Sequence, residues 1–100
     1  MVQIIRTEEY ALWNLSLRDD RAKAKIALRV DRLALGNPGD VKPVGGGLSE
    51  MRIDYGPGYR VYYGKHGYNV ILLLCGGTKD GQSTDIKKAK ALFEKWKAAK

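Results

Sequence analysis

The sequence predicts an α+β domain with an N-terminal strand, an antiparallel helix hairpin, a three-stranded antiparallel meander and a C-terminal helix. Three observations predict it. Apolar residues recur every three or four positions between residues 8 and 35, and again between 84 and 96, as in amphipathic helices. Apolar and polar residues alternate between 48 and 63, as in half-buried strands. A six-residue apolar run at 70–75 is typical of a strand inside a sheet. A chain of 100 residues has room for one domain, which we assign to residues 1–100.

The first third of the chain carries boundary signals for one strand and two helices. Val2–Arg6 is rich in β-branched residues, as expected of a short strand. Thr7 is a good N-cap for the first helix, because two glutamates follow it where the helix dipole favours acidic side chains. Asp19 and Asp20 begin the second helix, and the Gly-Asn-Pro run at 36–38 ends it. Since only a few residues join the two helices, we expect an antiparallel hairpin.

The rest of the chain predicts a meander and a final helix. The predicted strands are Leu48–Ile53, Tyr59–Tyr63 and Tyr68–Cys75. We expect the last of these to lie centrally in the sheet and the glycine pair at 76–77 to end it. Ser83 or Thr84 is the expected cap of the final helix. We expect all helices on one face of the sheet, which leaves the other face open.

Composition narrows the functional classes. The chain has 18 basic and 11 acidic residues, so its net charge is +7, which favours an anionic partner such as nucleic acid. Seven of the lysines lie in residues 79–100, a pattern that is equally typical of a solvated helix conferring solubility. One cysteine and one histidine exclude a disulfide framework and a Cys/His zinc site, and the scattered acidic residues disfavour metal-dependent hydrolysis. We therefore expect no metal and no cofactor.

Several features have ordinary structural interpretations. The longest apolar run is far shorter than the roughly 20 residues of a membrane helix, and the N-terminus lacks a signal-peptide core. We therefore expect a soluble, cytoplasmic domain without a membrane partner. The triple glycine at 45–47 lacks the Lys-Ser/Thr pair of a phosphate loop. Cys75 ends a buried strand and is interpreted as a structural thiol, and His66 as a solvated turn residue that can still titrate near neutral pH.

One constellation of residues suggests chemistry. If the meander alternates as predicted, Arg52, Arg60 and Tyr62 share the open face of the sheet. Lys79 would lie at the rim, and Lys42 is a weaker candidate for the same region. Guanidinium groups beside an aromatic ring can bind a phosphate and stack a base. The alternative is that such residues are ordinary on an exposed sheet face, with Arg52 paired to Glu50 or Asp54.

The motifs around these residues resemble a known family. They are LALGNPGDVKPVG at 33–45, LSEMRI at 48–53, GPGYRVYY at 56–63, LLLCGGTK at 72–79 and QSTDIKKA at 82–89. Together they resemble the RelE/ParE toxin superfamily, and within it the HigB-like branch of addiction module killer proteins. The resemblance covers nearly the whole chain, and the joint spacing is more specific than any single segment.

This resemblance implies a βααβββ(α) fold and the toxin of a bacterial toxin–antitoxin pair. RelE-like members cleave mRNA on the translating ribosome without metal or cofactor, by attack of the RNA 2′-hydroxyl on the adjacent phosphate. The implied partners are the ribosome, mRNA and a cognate antitoxin, often a helix-turn-helix DNA-binding protein. Two alternatives stay open: a ParE-like toxin that poisons DNA gyrase, and a non-catalytic basic RNA-binding relative.

The resemblance also implies roles for residues. Arg60 falls on the family's Gly-Tyr-Arg arginine, while Arg52 and Lys79 lie near its other basic positions; these three are the predicted catalytic residues. The predicted RNA-binding residues are Lys42, Tyr62, Lys65, His66, Gln82 and Asp85. Arginine cannot serve as a base, so the proton acceptor must be Lys79 with a lowered pKa, His66, Asp85 or a ribosomal group. The family's C-terminal tyrosine has no counterpart in this chain.

Overall fold

The computed structural model describes residues 2–99, which form three helices and one five-stranded sheet. The strands are β1 (Gln3–Arg6), β2 (Val41–Gly45), β3 (Leu48–Ile53), β4 (Tyr59–His66) and β5 (Val70–Thr78). The helices are α1 (Glu8–Ser16), α2 (Asp20–Ala34) and α3 (Gln82–Ala98), the last preceded by a 3₁₀ turn at Lys79–Gly81. The predicted α+β class is confirmed.

The sheet is mixed and has the strand order β1-β5-β4-β3-β2. β1 runs parallel to β5, and all other neighbours are antiparallel. The edge strand β2 was not among the predicted strands, because Pro43 and the glycines that follow are typical of a loop. A proline is compatible with a strand at the edge of a sheet, where its missing N–H leaves no neighbour unpaired.

Helices cover both faces of the sheet, so the prediction that they lie on one face is wrong. α1 and α2 pack on one face, which we call the hairpin face, around residues such as Ile26, Met51 and Val61. α3 packs on the other face, the α3 face, where Ala89 and Phe93 lie in a second apolar cluster. The reason is visible in β5: its nearly continuous apolar run has two faces to bury, and each face needs a cover.

Strands β4 and β5 are longer than predicted. β4 continues to His66, so the turn consists of residues 67–69 and includes Tyr68. β5 continues through Gly76 and Gly77 to Thr78 rather than ending at the glycine pair. These glycines allow close packing instead of breaking the strand, because a Cβ at Gly76 would overlap the ring of Trp13.

The starts of the helices were predicted with mixed success. Thr7 caps α1, its hydroxyl accepting from the backbone N–H of Tyr10 at 3.1 Å, and Asp19 caps α2. α3 instead begins at Gln82, with Gly81 in the cap position and no side-chain cap, so neither Ser83 nor Thr84 is the cap. None of the helices within residues 2–99 has the length and apolarity needed to cross a membrane.

Candidate phosphate-binding cleft

Two arginines lie directly opposite each other on the two middle strands of the meander. The register of β3 and β4 pairs Arg52 with Arg60, and residues paired across antiparallel strands have side chains on the same face. That face is the α3 face, at the end of the sheet where α3 begins. The side chain of Arg52 is 34% exposed and that of Arg60 is 12% exposed.

These arginines line a shallow cleft of about 240 Å³, which we call the arginine cleft. Its lining residues are Asp40, Arg52, Asp54, Gly58, Arg60 and Lys79. Lys79 is held there by its backbone N–H, which donates to the carbonyl of Gly58 at 2.8 Å. The three predicted catalytic residues therefore meet in one cleft.

The wall of the cleft is fixed from the opposite face of the sheet by Arg29 of α2. Its Nη1 donates to the carbonyl of Arg52 at 2.6 Å, and its Nη2 donates to the carbonyls of Pro38 and Asp40 at 3.1 and 3.2 Å. This side chain joins the edge of β3 to the segment that leads into β2. The sequence pattern did not indicate this bracing role of Arg29.

A buried carboxylate lies beneath the two arginines. Glu50 of β3 is 0% exposed, and its Oε1 accepts from Nε of Arg52 at 3.2 Å. Nε of Arg60 lies 3.5 Å from the same oxygen, at ion-pair distance but without hydrogen-bond geometry. Nε2 of Gln82 donates to Oε2 at 2.6 Å. We call Glu50 with these three partners the Glu50 hub, and its contact with Arg52 is the alternative pairing that the sequence also allowed.

Tyr62 does not lie on an open surface, so its predicted role as a stacking platform is wrong. The side chain is 0% exposed and belongs to the apolar cluster under α3. Its buried hydroxyl approaches Glu50 but forms no regular hydrogen bond within residues 2–99. Burial, followed by the negative charges of Glu50 and Asp85, raises the pKa of Tyr62. A neutral, covered phenol cannot stack on a base.

The remaining predicted contact residues are divided between the two ends of the sheet. Lys42 is exposed on β2 and pairs directly with Glu50, which places it on the α3 face near the cleft. Lys65 and His66 lie at the far end of β4, five and six residues beyond Arg60, and His66 is therefore about 20 Å away along the strand. His66 packs edge-on against Trp96, with ring centroids 5.1 Å apart. The structure therefore does not bring Lys65 and His66 to the cleft.

The start of α3 brings two further predicted residues towards the cleft. Gln82 binds Glu50 through its amide nitrogen, so that nitrogen is not available to RNA in this arrangement. Asp85 lies against the backbone of β5, where a Cβ at Gly77 would overlap its carboxylate. Gly77 in turn pairs with Arg60. Partial burial raises the pKa of Asp85, an effect that nearby Lys88 opposes.

Comparison with known proteins identifies one relative. No protein-family model matches the chain. A protein of Haemophilus influenzae (strain ATCC 51907 / DSM 11121 / KW20 / Rd) is 47% identical over 93 residues, which are 93% of this chain and 94% of that protein. The two proteins belong to one family. The relative is described as "Uncharacterized protein".

The chemistry of the cleft is set by its donors. Arg52, Arg60 and Lys79 are cations, and within residues 2–99 no hydrogen bond engages the terminal nitrogens of either guanidinium group. Such nitrogens bind phosphate oxygens in pairs. No three His, Cys, Asp or Glu side chains of the described chain converge as metal ligands. Part of the Glu50 hub could be predicted from the sequence, because Glu50 and Arg52 are two residues apart and therefore lie on one face of a strand.

Proposed function

We propose that the chain is the toxin of a toxin–antitoxin module and cleaves mRNA on the ribosome without a metal ion. The observation that carries the proposal is the meeting of Arg52, Arg60 and Lys79 in one polar cleft. The motifs that resemble the HigB-like branch of the RelE/ParE superfamily supply the reaction class. The order strand, two helices, meander and helix supports the resemblance, with β2 as an additional edge strand.

In this mechanism the RNA 2′-hydroxyl attacks the adjacent phosphorus and the 5′-oxygen of the next nucleotide leaves. The products are a cyclic phosphate and a free 5′-hydroxyl. The phosphorane transition state carries more negative charge than the diester, and fixed cationic donors stabilise that extra charge. In this proposal Arg52 and Arg60 bind the non-bridging oxygens, and Lys79 lines the same cleft from the 3₁₀ turn.

Proton transfer needs a group other than arginine. Of the three side chains named from the sequence, His66 lies about 20 Å from Arg60 along the strand, which removes it from this cleft. Lys79 lines the cleft, and Asp85 lies against the strand that pairs with Arg60. The raised pKa of Asp85 suits a carboxyl group that accepts and returns a proton. Lys79 and Asp85 are therefore the proposed proton-transfer residues, with a ribosomal group as the third candidate.

The proposed partners follow from the same assignment. The ribosome and mRNA supply the phosphates, and a cognate antitoxin, proposed as a helix-turn-helix protein, would prevent ribosome entry. All of these partners are cytoplasmic. Because the net charge of the chain is +7, binding to ribosomes is expected to weaken steeply as salt is raised. An affinity for ribosomes that does not change with salt concentration would count against phosphate binding.

The test is cleavage of a defined transcript in a purified translation system. The wild-type protein should produce discrete cuts with cyclic-phosphate ends, and Arg60→Ala should lose about a hundredfold in rate, or ~3 kcal/mol of transition-state stabilisation. Arg32→Ala is the matched control: it removes the same charge from an exposed position in the last turn of α2, away from the α3 face. Intact transcripts at concentrations that arrest growth would refute the proposal.

One observation favours a second candidate, the non-catalytic RNA-binding relative. Both arginines lie within ion-pair distance of Glu50, which offsets part of the cleft's positive charge. A non-catalytic relative would bind RNA more weakly as salt is raised, as the proposed toxin would, but it would leave every transcript uncut. Growth arrest with a DNA-damage response and intact mRNA would instead indicate the gyrase-poisoning alternative.

A further inference from the structure

Glu50 is an unusual residue to find at the base of an RNA-binding cleft. Among residues 2–99 it is the one charged side chain that is buried, at 0% exposure. Burying a carboxylate is costly unless it is paired and hydrogen-bonded. The charge also opposes the negative RNA that the cleft is proposed to bind. Since Glu50 is costly to bury and repels RNA, its presence calls for a structural contribution that offsets both effects.

The atoms that contact Glu50 indicate that role. Both arginines approach its Oε1 through Nε, at 3.2 Å for Arg52 and 3.5 Å for Arg60. This leaves the two terminal nitrogens of each guanidinium group for a ligand. Nη1 of Arg60 lies beside the cleft residue Gly58, 3.9 Å from where a Cβ would be. One carboxylate therefore contacts both arginines at Nε, and within residues 2–99 their terminal nitrogens make no hydrogen bond.

The third contact connects the hub to α3. Gln82 is the first residue of α3, and its 2.6 Å bond to Oε2 of Glu50 joins that helix to β3. Asp85 lies one turn further along the same helix. The Glu50 hub thus links the start of α3 to the two arginines. It therefore also fixes where Asp85, the proposed proton-transfer residue, lies relative to them.

We propose that Glu50 is a positioning residue that holds Arg52 and Arg60 in a preorganised arrangement for the phosphorane, an assignment that rests on the proposed function. Preorganised donors lower the barrier because they need no rearrangement as charge develops. Glu50 does not contact RNA in this arrangement. Its negative charge weakens general attraction for the RNA, while its geometry increases the rate of the chemical step.

These opposing effects give a test that separates positioning from simple folding support. Glu50→Gln keeps the size of the side chain and removes its charge. We expect kcat to fall tenfold or more while KM stays unchanged or decreases, because the cleft becomes more positive but its guanidinium groups become mobile. Glu94→Gln is the matched control, since it removes the same charge from an exposed carboxylate paired with Lys97 on α3. It should leave both constants unchanged.

A second measurement examines the hub without relying on activity. In the free wild-type protein, nitrogen-15 NMR should show slowly exchanging signals for the Arg52 Nε–H and the Gln82 side-chain amide. In Glu50→Gln these signals should exchange at least tenfold faster. If Glu50→Gln does not fold, Gln82→Ala replaces it: kcat should then fall by a smaller factor with KM unchanged, and the Arg52 Nε–H signal should again exchange faster than in the wild type.

The outcomes are distinguishable. An unchanged kcat, a rise in KM without loss of kcat, or unaltered exchange of the Arg52 signal would each overturn the positioning role. A wild-type protein that cuts no transcript overturns the proposed function, and with it the catalytic part of this assignment. In that case the NMR measurement still decides whether Glu50 orders Arg52.

Discussion

The packing of α3 on the sheet can be tested at a single glycine. Gly64 of β4 lies under the ring of Phe93, and a Cβ at this position would be 2.8 Å from Cζ and 2.9 Å from Cε1 of that ring. Ordinary carbon contacts are about 3.5–4.0 Å, so Gly64→Ala requires the ring to retreat by roughly 0.5–1 Å. Phe93 is only 3% exposed and belongs to the cluster that fastens α3.

The expected cost follows from two opposing effects. Overpacking a core of this kind costs about 1–3 kcal/mol. Replacing glycine by alanine where the backbone is compatible contributes about 0.4–1 kcal/mol of stability through the unfolded chain. Gly64→Ala should therefore lower the free energy of unfolding by about 1–2 kcal/mol. For a domain of this size that corresponds to a decrease in Tm of roughly 5–15 °C.

Urea unfolding of four proteins provides the assay: wild type, Gly64→Ala, Phe93→Leu and the double variant. Leucine removes the ring atoms that the new Cβ would meet, so in the Phe93→Leu background the alanine should cost little or become stabilising. The coupling between the two sites should be about 1 kcal/mol or more. Equal costs in both backgrounds, or a Gly64→Ala protein as stable as wild type, would refute the packing argument.

Two further predictions concern titratable groups. The Cys75 thiol is 1% exposed and burial raises its pKa to about 12, so a thiol reagent at pH 8 should label it slowly in the native protein and rapidly in urea; rapid native labelling would contradict this. The hydroxyl of Tyr55, followed by the backbone N–H of Ala22, lowers the pKa of Asp19 below its ordinary 3.8. Its contribution to stability is therefore present above pH 3.8 and lost as the pH falls, so the Tm deficit of Asp19→Ala should be larger at pH 7 than at pH 3. A deficit that is the same at both pH values would be the contrary result.

Local signals predicted the starts of α1 and α2, whereas the packing of helices on the two faces of the sheet depends on contacts between segments that are distant in the sequence. The caps at Thr7 and Asp19 follow from side-chain chemistry within four residues, and both are present. The apolar periodicity of α3 shows that one side of the helix is buried, but it does not show which face of the sheet that side covers. An apolar sequence from 70 to 75 was the available signal that both faces are covered.

The same missing layer explains the error at Tyr62. Strand alternation correctly gives the face that Tyr62 shares with Glu50, since the two residues are paired across β3 and β4. Exposure of that face was an additional assumption, and α3 removes it. Arg52 and Arg60 are directly paired across β3 and β4, so alternation alone was sufficient to bring them together. The predicted side-chain positions agree with the structure for Arg52 and Arg60, where strand pairing determines them, and differ for Tyr62, which α3 covers.

The covered tyrosine also changes what the cleft can recognise. Its lining consists of charged side chains and one glycine, with no aromatic ring among them. Contacts to phosphates position a nucleic acid without reading its sequence, and base recognition in single strands depends mostly on stacking and on base edges. Under the proposed function, this cleft supplies the chemical step but little sequence preference. The choice of cutting site would then come from the ribosome, which holds the mRNA in register, and free RNA of any sequence should be cut with similarly low efficiency.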